Sequence, residues 1–253
     1  MDIRWEEHGW ERLSARAGRC RLPGWDATAG LVAGETGVLL YDTGSTPREG
    51  AALRADVAAL LGPGRPVTHV ALSHPHFDHV LGTAAFTEAS TETSTEAEVY
   101  GAVGLAELLA RGGGALYEDA VREGVDAAEA AGARDALVLP GHAVSGELTL
   151  DLGGPRVLLA NVGPGHTAHD LALLVPAGDG SAPVVFCGDL VEESGEPQAG
   201  PDAIPARWPA SLDRLLALGG EDAVYVPGHG AVVDAAFVRA QRDALAVRFG
   251  VSL

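Results

Sequence analysis

One hexapeptide, His74-Pro75-His76-Phe77-Asp78-His79, constrains this chain more than any other feature, because it closes an apolar run from Val67 to Ser73. That run reads as a buried strand, so the hexapeptide lies in the strand-to-helix loop where layered α/β scaffolds carry their chemical groups. A short helix is expected from Val80. From an extended loop His74 and His76 can point the same way. Asp78 and His79 follow a turn and reach a second point nearby, so one loop can serve two cations.

Further donors stand after other predicted strands. His166 lies in Gly163-Pro164-Gly165-His166-Thr167, Asp189 in Phe186-Cys187-Gly188-Asp189, and His229 in Val226-Pro227-Gly228-His229-Gly230. Taken alone, Asp189 and His229 read equally well as turn residues. Imidazole and carboxylate suit zinc, and also iron or manganese. Cys20 and Cys187 are far apart and form neither a thiolate cage nor a disulfide framework, which fits a reducing compartment.

Composition narrows the partners. The formal charge of −18 opposes phosphate backbones and anionic membranes, so nucleic acid is an unsuitable substrate. All 17 basic residues are arginine, which excludes Schiff-base and lysine-nucleophile chemistry. The sequence has no apolar run of the ~18 residues a membrane span needs, and its charged first residues lack a signal-peptide core. A soluble, cytoplasmic protein is expected. The 253 residues show no composition break, so a single domain over 1–253 is expected; nothing in the sequence marks an oligomeric state.

Strands and helices alternate in two rough halves. Thr28 to Ala33 and Val38 to Tyr41 flank Gly34-Glu35-Thr36-Gly37 as a β-hairpin. Ser45, Thr46 and Pro47 open a helix through Leu53, Val57, Leu60 and Leu61, which Gly62-Pro63-Gly64 ends. Thr87 to Glu98, rich in Ser, Thr and Glu, reads as a solvated loop. Helices are expected over Val103 to Leu109 and Tyr117 to Ala131, then strands at Glu147 to Asp151, Arg156 to Ala160, Leu171 to Val175 and Val184 to Phe186. A helix near Trp208 to Leu218, a strand at Ala223 to Val226 and a helix from Asp234 to Arg248 complete the series. Two packed sheets with helices outside would satisfy the layer rules.

In this order, Asp42, the His74 to His79 cluster, His166, Asp189 and His229 resemble the metallo-β-lactamase superfamily. The resemblance implies an α/β fold, a four-layer αββα sandwich with two metals at one edge. It places His74, His76 and His166 on the first metal and Asp78, His79 and His229 on the second, with Asp189 bridging. A metal-bridging water or hydroxide would attack a carbonyl carbon while a cation stabilises the oxyanion. Asp78 would orient that nucleophile or take its proton, and Asp42 would support the metal loop.

Departures from the family pattern narrow the substrate. Asp189 stands where some β-lactamases place a cysteine ligand, and Glu192 where those enzymes carry a lysine for the drug carboxylate. Acyl-homoserine lactonases have a tyrosine at the position of Glu192. Only 24 residues follow His229 (253 minus 229), fewer than the glutathione-binding domain of glyoxalase II enzymes requires. Neither the extra domain nor the basic arm of the nuclease branches is visible; the loop after Asp189 carries Glu192, Glu193, Glu196 and Asp202 instead.

The expected activity is a dinuclear hydrolase, with two zinc ions, acting on a small neutral or cationic ester, lactone, thioester or amide. A mononuclear iron enzyme resembling persulfide dioxygenases and a non-enzymatic metal-binding module are the alternatives. His169 reads as a residue that bonds a neighbour at the start of a strand, His142 as a loop residue, and Cys187 as a small buried hydrophobe. Trp25, Tyr117 and Trp208 read as core aromatics near enough to line a cleft.

Overall fold

The hairpin from Thr28 to Tyr41 is the centre of a larger sheet, because its strands are apolar on both faces and need cover on each side. The computed structural model of the protein describes residues 3–62, 64–87, 96–178 and 180–252. The first sheet runs β1 (Glu11–Arg12), β2 (Ala17–Arg21), β3 (Thr28–Ala33), β4 (Val38–Tyr41), β5 (His69–Ala71), β6 (Glu98–Ala102) and β7 (His142–Val144), in that spatial order. It is antiparallel as far as β4 and parallel from there. The second sheet contains β8 (Glu147–Asp151), β9 (Arg156–Asn161), β10 (Leu171–Val175), β11 (Val184–Glu192) and β12 (Val224–His229), with β11 and β12 parallel.

The helices are α1 (Pro47–Leu61), α2 (Phe77–Val80), α3 (Ala84–Thr87), α4 (Leu105–Arg122), α5 (Ala127–Asp135), α6 (Trp208–Gly219) and α7 (Ala235–Phe249). Alternation along the strands sorts their side chains into layers. Leu31, Leu40, Val70 and Leu72 pack with Leu53 and Val57 of α1 and with Leu105 and Leu109 of α4. Their chain neighbours Val32, Leu39 and Ala71 turn the other way, onto Leu159, Leu173 and Phe186 of the second sheet. Val185 and Cys187 face outward again, against Trp208, Leu212, Val238 and Leu245. The result is the expected order of helix, sheet, sheet, helix. Tyr41 spans the inter-sheet layer, and its hydroxyl donates to the Leu171 carbonyl at 2.6 Å, satisfying a buried polar group.

Several elements differ from the sequence reading. Helix α4 is continuous through Gly112-Gly113-Gly114, where the sequence suggests a break. Three glycines cost a helix roughly 1 kcal/mol each, but Leu105, Leu109, Leu116 and Ala120 lie buried along one face and hold it together. Asp126 then caps α5, accepting from Ala128 and Glu129. The turn after β5 is helical from Phe77, so Asp78 and His79 sit on α2 rather than ahead of it. Strands β1, β2, β6 and β7 were not expected; His142 belongs to β7, where its ring stacks 4.7 Å from Tyr100. Most of the loop expected over Thr87 to Glu98 lies outside the described residues.

Helix α1 opens as its sequence predicts, with Thr46 accepting from the Glu49 amide at 3.1 Å and Pro47 in the first turn. Its face then meets the metal-loop backbone without intervening side chains. A Cβ on Gly50 would collide with the Gly82 carbonyl, and one on Gly82 with the Thr43 carbonyl. These atoms are backbone and cannot step aside, so Gly82→Ala is expected to lower unfolding free energy by about 1–3 kcal/mol. Denaturant unfolding of the metal-free protein measures this; an unchanged midpoint would show that the loop has slack.

Candidate metal centre

The donors predicted from sequence arrive at one edge of the two sheets from several strand ends. Asp42 follows β4, the His74 to His79 segment follows β5, His166 lies between β9 and β10, Asp189 lies within β11, and His229 ends β12. Gly188 makes the approach of β11 possible. It takes a left-handed φ of 54°, the pairing register with β12 shifts on either side of it, and a Cβ there would press on Ser73. Asp189 thereby turns toward the ends of the first sheet.

The structure gathers the predicted donors into two groups, and Glu192, which the sequence reading did not count as a donor, forms a third set with Asp189 and His229. His74, His76, His166 and Asp189 form one, and Asp78, His79 and His229 the other, with ligand atoms in each group within 4.8 Å of one another. Asp189 links them: its Oδ1 is 3.2 Å from His79 Nε2, and its Oδ2 is 3.6 Å from His74 Nε2 and 3.4 Å from His229 Nε2. His74 Nε2, His79 Nε2 and Asp189 Oδ1 are buried polar atoms without a hydrogen-bond partner. Such atoms are costly unless an ion satisfies them, and nitrogen and oxygen donors of this kind fit zinc, iron or manganese. Both cysteines lie elsewhere, Cys187 buried in the outer core as expected.

Every one of the five histidines has its other ring nitrogen tied down. His79 Nδ1 lies 2.9 Å from Asp42, His74 Nδ1 2.8 Å from Ser73 Oγ, and His229 Nδ1 2.8 Å from the Trp25 carbonyl. His166 Nδ1 is 3.1 Å from the Gln198 carbonyl, and His76 Nε2 is 3.0 Å from Asp202. An acceptor on the outer nitrogen fixes the tautomer and aims the inner lone pair. Asp42 does more than orient His79. Its Oδ1 also accepts from the Ser73 amide at 2.7 Å, and its backbone takes a left-handed φ of 62°, which aspartate tolerates.

Charge is divided unevenly across the groups. Burial holds His74 well below the ordinary imidazole range and brings His166 down to about 4, so both rings are neutral donors at pH 7. Burial also opposes the charged form of His79 and His229. There the carboxylates win: Asp189, Asp78 and Asp42 raise His79 well above its usual value, and Asp189 raises His229 to about 9. Burial pushes Asp42 up against the pull of His79, while His79, His74 and His229 outweigh burial and hold Asp189 well below the carboxylate range.

A cleft of about 770 Å³ opens over the groups. Trp25, Phe77, Leu108 and Leu116 form apolar wall, and Glu192, Glu196 and Asp202 line the acidic side. Of the aromatics weighed from sequence, Trp25 lines the cleft. Trp208 is fully buried and meets His166 edge-on at 5.2 Å, and Tyr117 packs against the core. His169 contacts the Val103 carbonyl at 2.9 Å, a neighbour bond as expected. Gln198 and Trp25 were missed as orienting groups because they act through backbone carbonyls, which leave no mark in a sequence. Asp202 was read only as part of an acidic loop.

A sequence-family model described as the metallo-beta-lactamase superfamily matches residues 22–229. The chain belongs to the metallo-β-lactamase superfamily. Its fold is also that of a solved metallo-beta-lactamase from Pontibacter korlensis, at a TM-score of 0.70 and 20% identity, covering 93% of this chain and 97% of that one. Two curated relatives are each named hydroxyacylglutathione hydrolase. The protein from Cupriavidus metallidurans is 47% identical over 64 residues and that from Cupriavidus taiwanensis 42% over 62. Each match spans 24% of this chain and 23% of the relative. Among the described residues, no helix of this superfamily member is long and apolar enough to cross a membrane.

Two measurements probe the centre. Removing a partner from a buried, hydrogen-bonded charge pair costs ~3–5 kcal/mol, so Asp42→Ala is expected to lose stability in that range by denaturant unfolding, and a loss under ~1 kcal/mol would rule out the tie. Second, His229 with its pKa of about 9 is protonated at pH 7 and must give up that proton to bind a cation. Calorimetry in buffers of different ionisation enthalpy is therefore expected to show proton release on zinc binding at pH 7, fading as pH passes about 9. In the metal-free protein the same shift has the opposite consequence. The stabilisation from His229 is full below its ordinary value of 6.5 and lost as pH rises through about 9.

Proposed function

We propose that this superfamily member is a dinuclear metal-dependent hydrolase acting on a small ester, lactone, thioester or amide. One observation carries the reading. Two donor groups linked through Asp189 stand side by side, with His74 Nε2, His79 Nε2 and Asp189 Oδ1 orphaned and every histidine aimed by an outer partner. We assign His74, His76 and His166 to one cation and Asp78, His79 and His229 to the other, with Asp189 common to both. Zinc is the first choice of metal, and iron or manganese suits the same donors. A pair of such cations, when bound, makes water acidic and polarises a carbonyl oxygen.

The chain's own residues then divide the work. Asp78 lines the cleft, with Oδ2 3.4 Å from His229 Nε2 and 3.6 Å from His79 Nε2. From there it orients the attacking water and accepts its proton at the carboxylate. The apolar wall of Trp25, Phe77, Leu108 and Leu116 receives the substrate's carbon skeleton and excludes water. The acidic side, with Glu192, Glu196 and Asp202, selects neutral or cationic molecules and repels nucleic acid. The partial match to hydroxyacylglutathione hydrolases supports a thioester within this range. The same acidic side argues against an anionic glutathione carrier. We take residues 1–253 as one functional unit working in the cytoplasm.

The test is a panel of esters, lactones, thioesters and amides assayed before and after chelation. Turnover of at least one class is expected to fall more than 100-fold without metal and return with zinc. Asp78→Asn is expected to lower kcat by about 10²-fold or more. Turnover indifferent to chelation refutes the reading, and oxygen consumption with a single bound iron would replace it with a dioxygenase.

A further inference from the structure

The outer nitrogens of His76 and His166 are held by the same short stretch of chain. Asp202 Oδ2 lies 3.0 Å from His76 Nε2, and the Gln198 carbonyl lies 3.1 Å from His166 Nδ1. The outer partners of His74, His79 and His229 come from other loops, through Ser73, Asp42 and Trp25. The stretch is itself anchored. The Ile204 amide donates to the Gly165 carbonyl at 2.9 Å beside His166, and Arg248 of α7 donates to the Pro197 carbonyl at 2.7 Å. Arg248 also pairs with Glu196 at 3.2 Å.

The inner sides of the same rings converge: His76 Nδ1 stands 3.0 Å from His166 Nε2. Asp202 therefore does for His76 what buried Asp42 does for His79, but from a half-exposed position on a different element. A carboxylate at Nε2 keeps the ring proton there and turns the Nδ1 lone pair inward. Without it the ring is free to place its proton on Nδ1 or to rotate out of line.

We propose that residues 196–204 form a strap setting the affinity of the metal group of His74, His76 and His166, with Asp202 the positioning residue for His76. This rests on the dinuclear reading above and adds an asymmetry to it. One cation would be held by donors fixed within the fold, and the other would depend on His76 and His166, whose aim is set by a surface segment that also lines the cleft. Part of the acidity beside the site thereby serves ligand geometry as well as substrate choice.

The experiment is zinc binding by the metal-free protein, followed by chelator competition, with cobalt absorption as a spectroscopic signature. In Asp202→Ala one equivalent is expected to bind about 10–100-fold more weakly, with the other unchanged and the cobalt bands of the weakened site altered. Asp202→Asn, whose amide oxygen still accepts from Nε2, is expected to recover most of that loss. The unfolding midpoint of each metal-free variant is expected to match that of the metal-free parent, because Asp202 is half-exposed. If the parent takes up two equivalents and Asp202→Ala holds both as tightly, the strap is overturned while the dinuclear reading stands. Equal weakening of both equivalents, or an asparagine variant no better than alanine, also overturns it. A parent that binds no zinc overturns the dinuclear reading itself.

Discussion

An imidazole that faces a cation with one nitrogen must satisfy the other, and this requirement shapes the whole edge of the molecule where the donors meet. Here the outer nitrogens end on Ser73, Asp42, Asp202 and the carbonyls of Gln198 and Trp25. Except for Ser73, which adjoins His74, these groups lie far in sequence from the histidines they hold, so the packed sheets are needed to assemble the site. Asp42 engages both of its carboxylate oxygens in these ties. Buried at the end of β4, it joins the Ser73 amide and His79 in one bonded unit and tethers the metal loop to the first sheet.

The scaffold leaves little freedom around that tie. Strands apolar on both faces force helices onto the outer side of each sheet, and the inter-sheet layer of Val32, Leu39, Tyr41, Leu173 and Phe186 sets the sheets face to face. Close backbone contacts then bring the loops the remaining distance, through Gly50 and Gly82 on one side and the bulge at Gly188 on the other. Buried carboxylates and imidazoles share charge among themselves, and the result is the split between the neutral His74 and His166 and the charged His79 and His229.

Membership of the metallo-β-lactamase superfamily explains the architecture and the position of the donors, and leaves substrate choice to the cleft. The cleft combines an apolar wall with carboxylates, and its one lining arginine, Arg122, is paired with Asp119 at 2.8 Å. It shows that acidic residues close to a metal centre have two distinct uses, since Asp202 bonds a histidine while Glu192 bonds Ser194.

The sequence by itself determined the layers and marked the candidate donors, because both are written in local patterns. Short continuous apolar runs such as Val38 to Tyr41 and a compact His-x-His-x-Asp-His segment stand out from sequence alone. Helix α1 was readable from Thr46, Pro47 and Gly62 for the same reason. The short strands β1, β2, β6 and β7 were not, since they hold little periodicity and owe their form to pairing with neighbours. Helix α4 survives its glycines only because Leu105, Leu109 and Leu116 have a core to enter. Tertiary structure alone decided which carbonyl or carboxylate holds each outer nitrogen. His76 and Asp202 are 126 residues apart, and only the packed sheets bring them within a hydrogen bond.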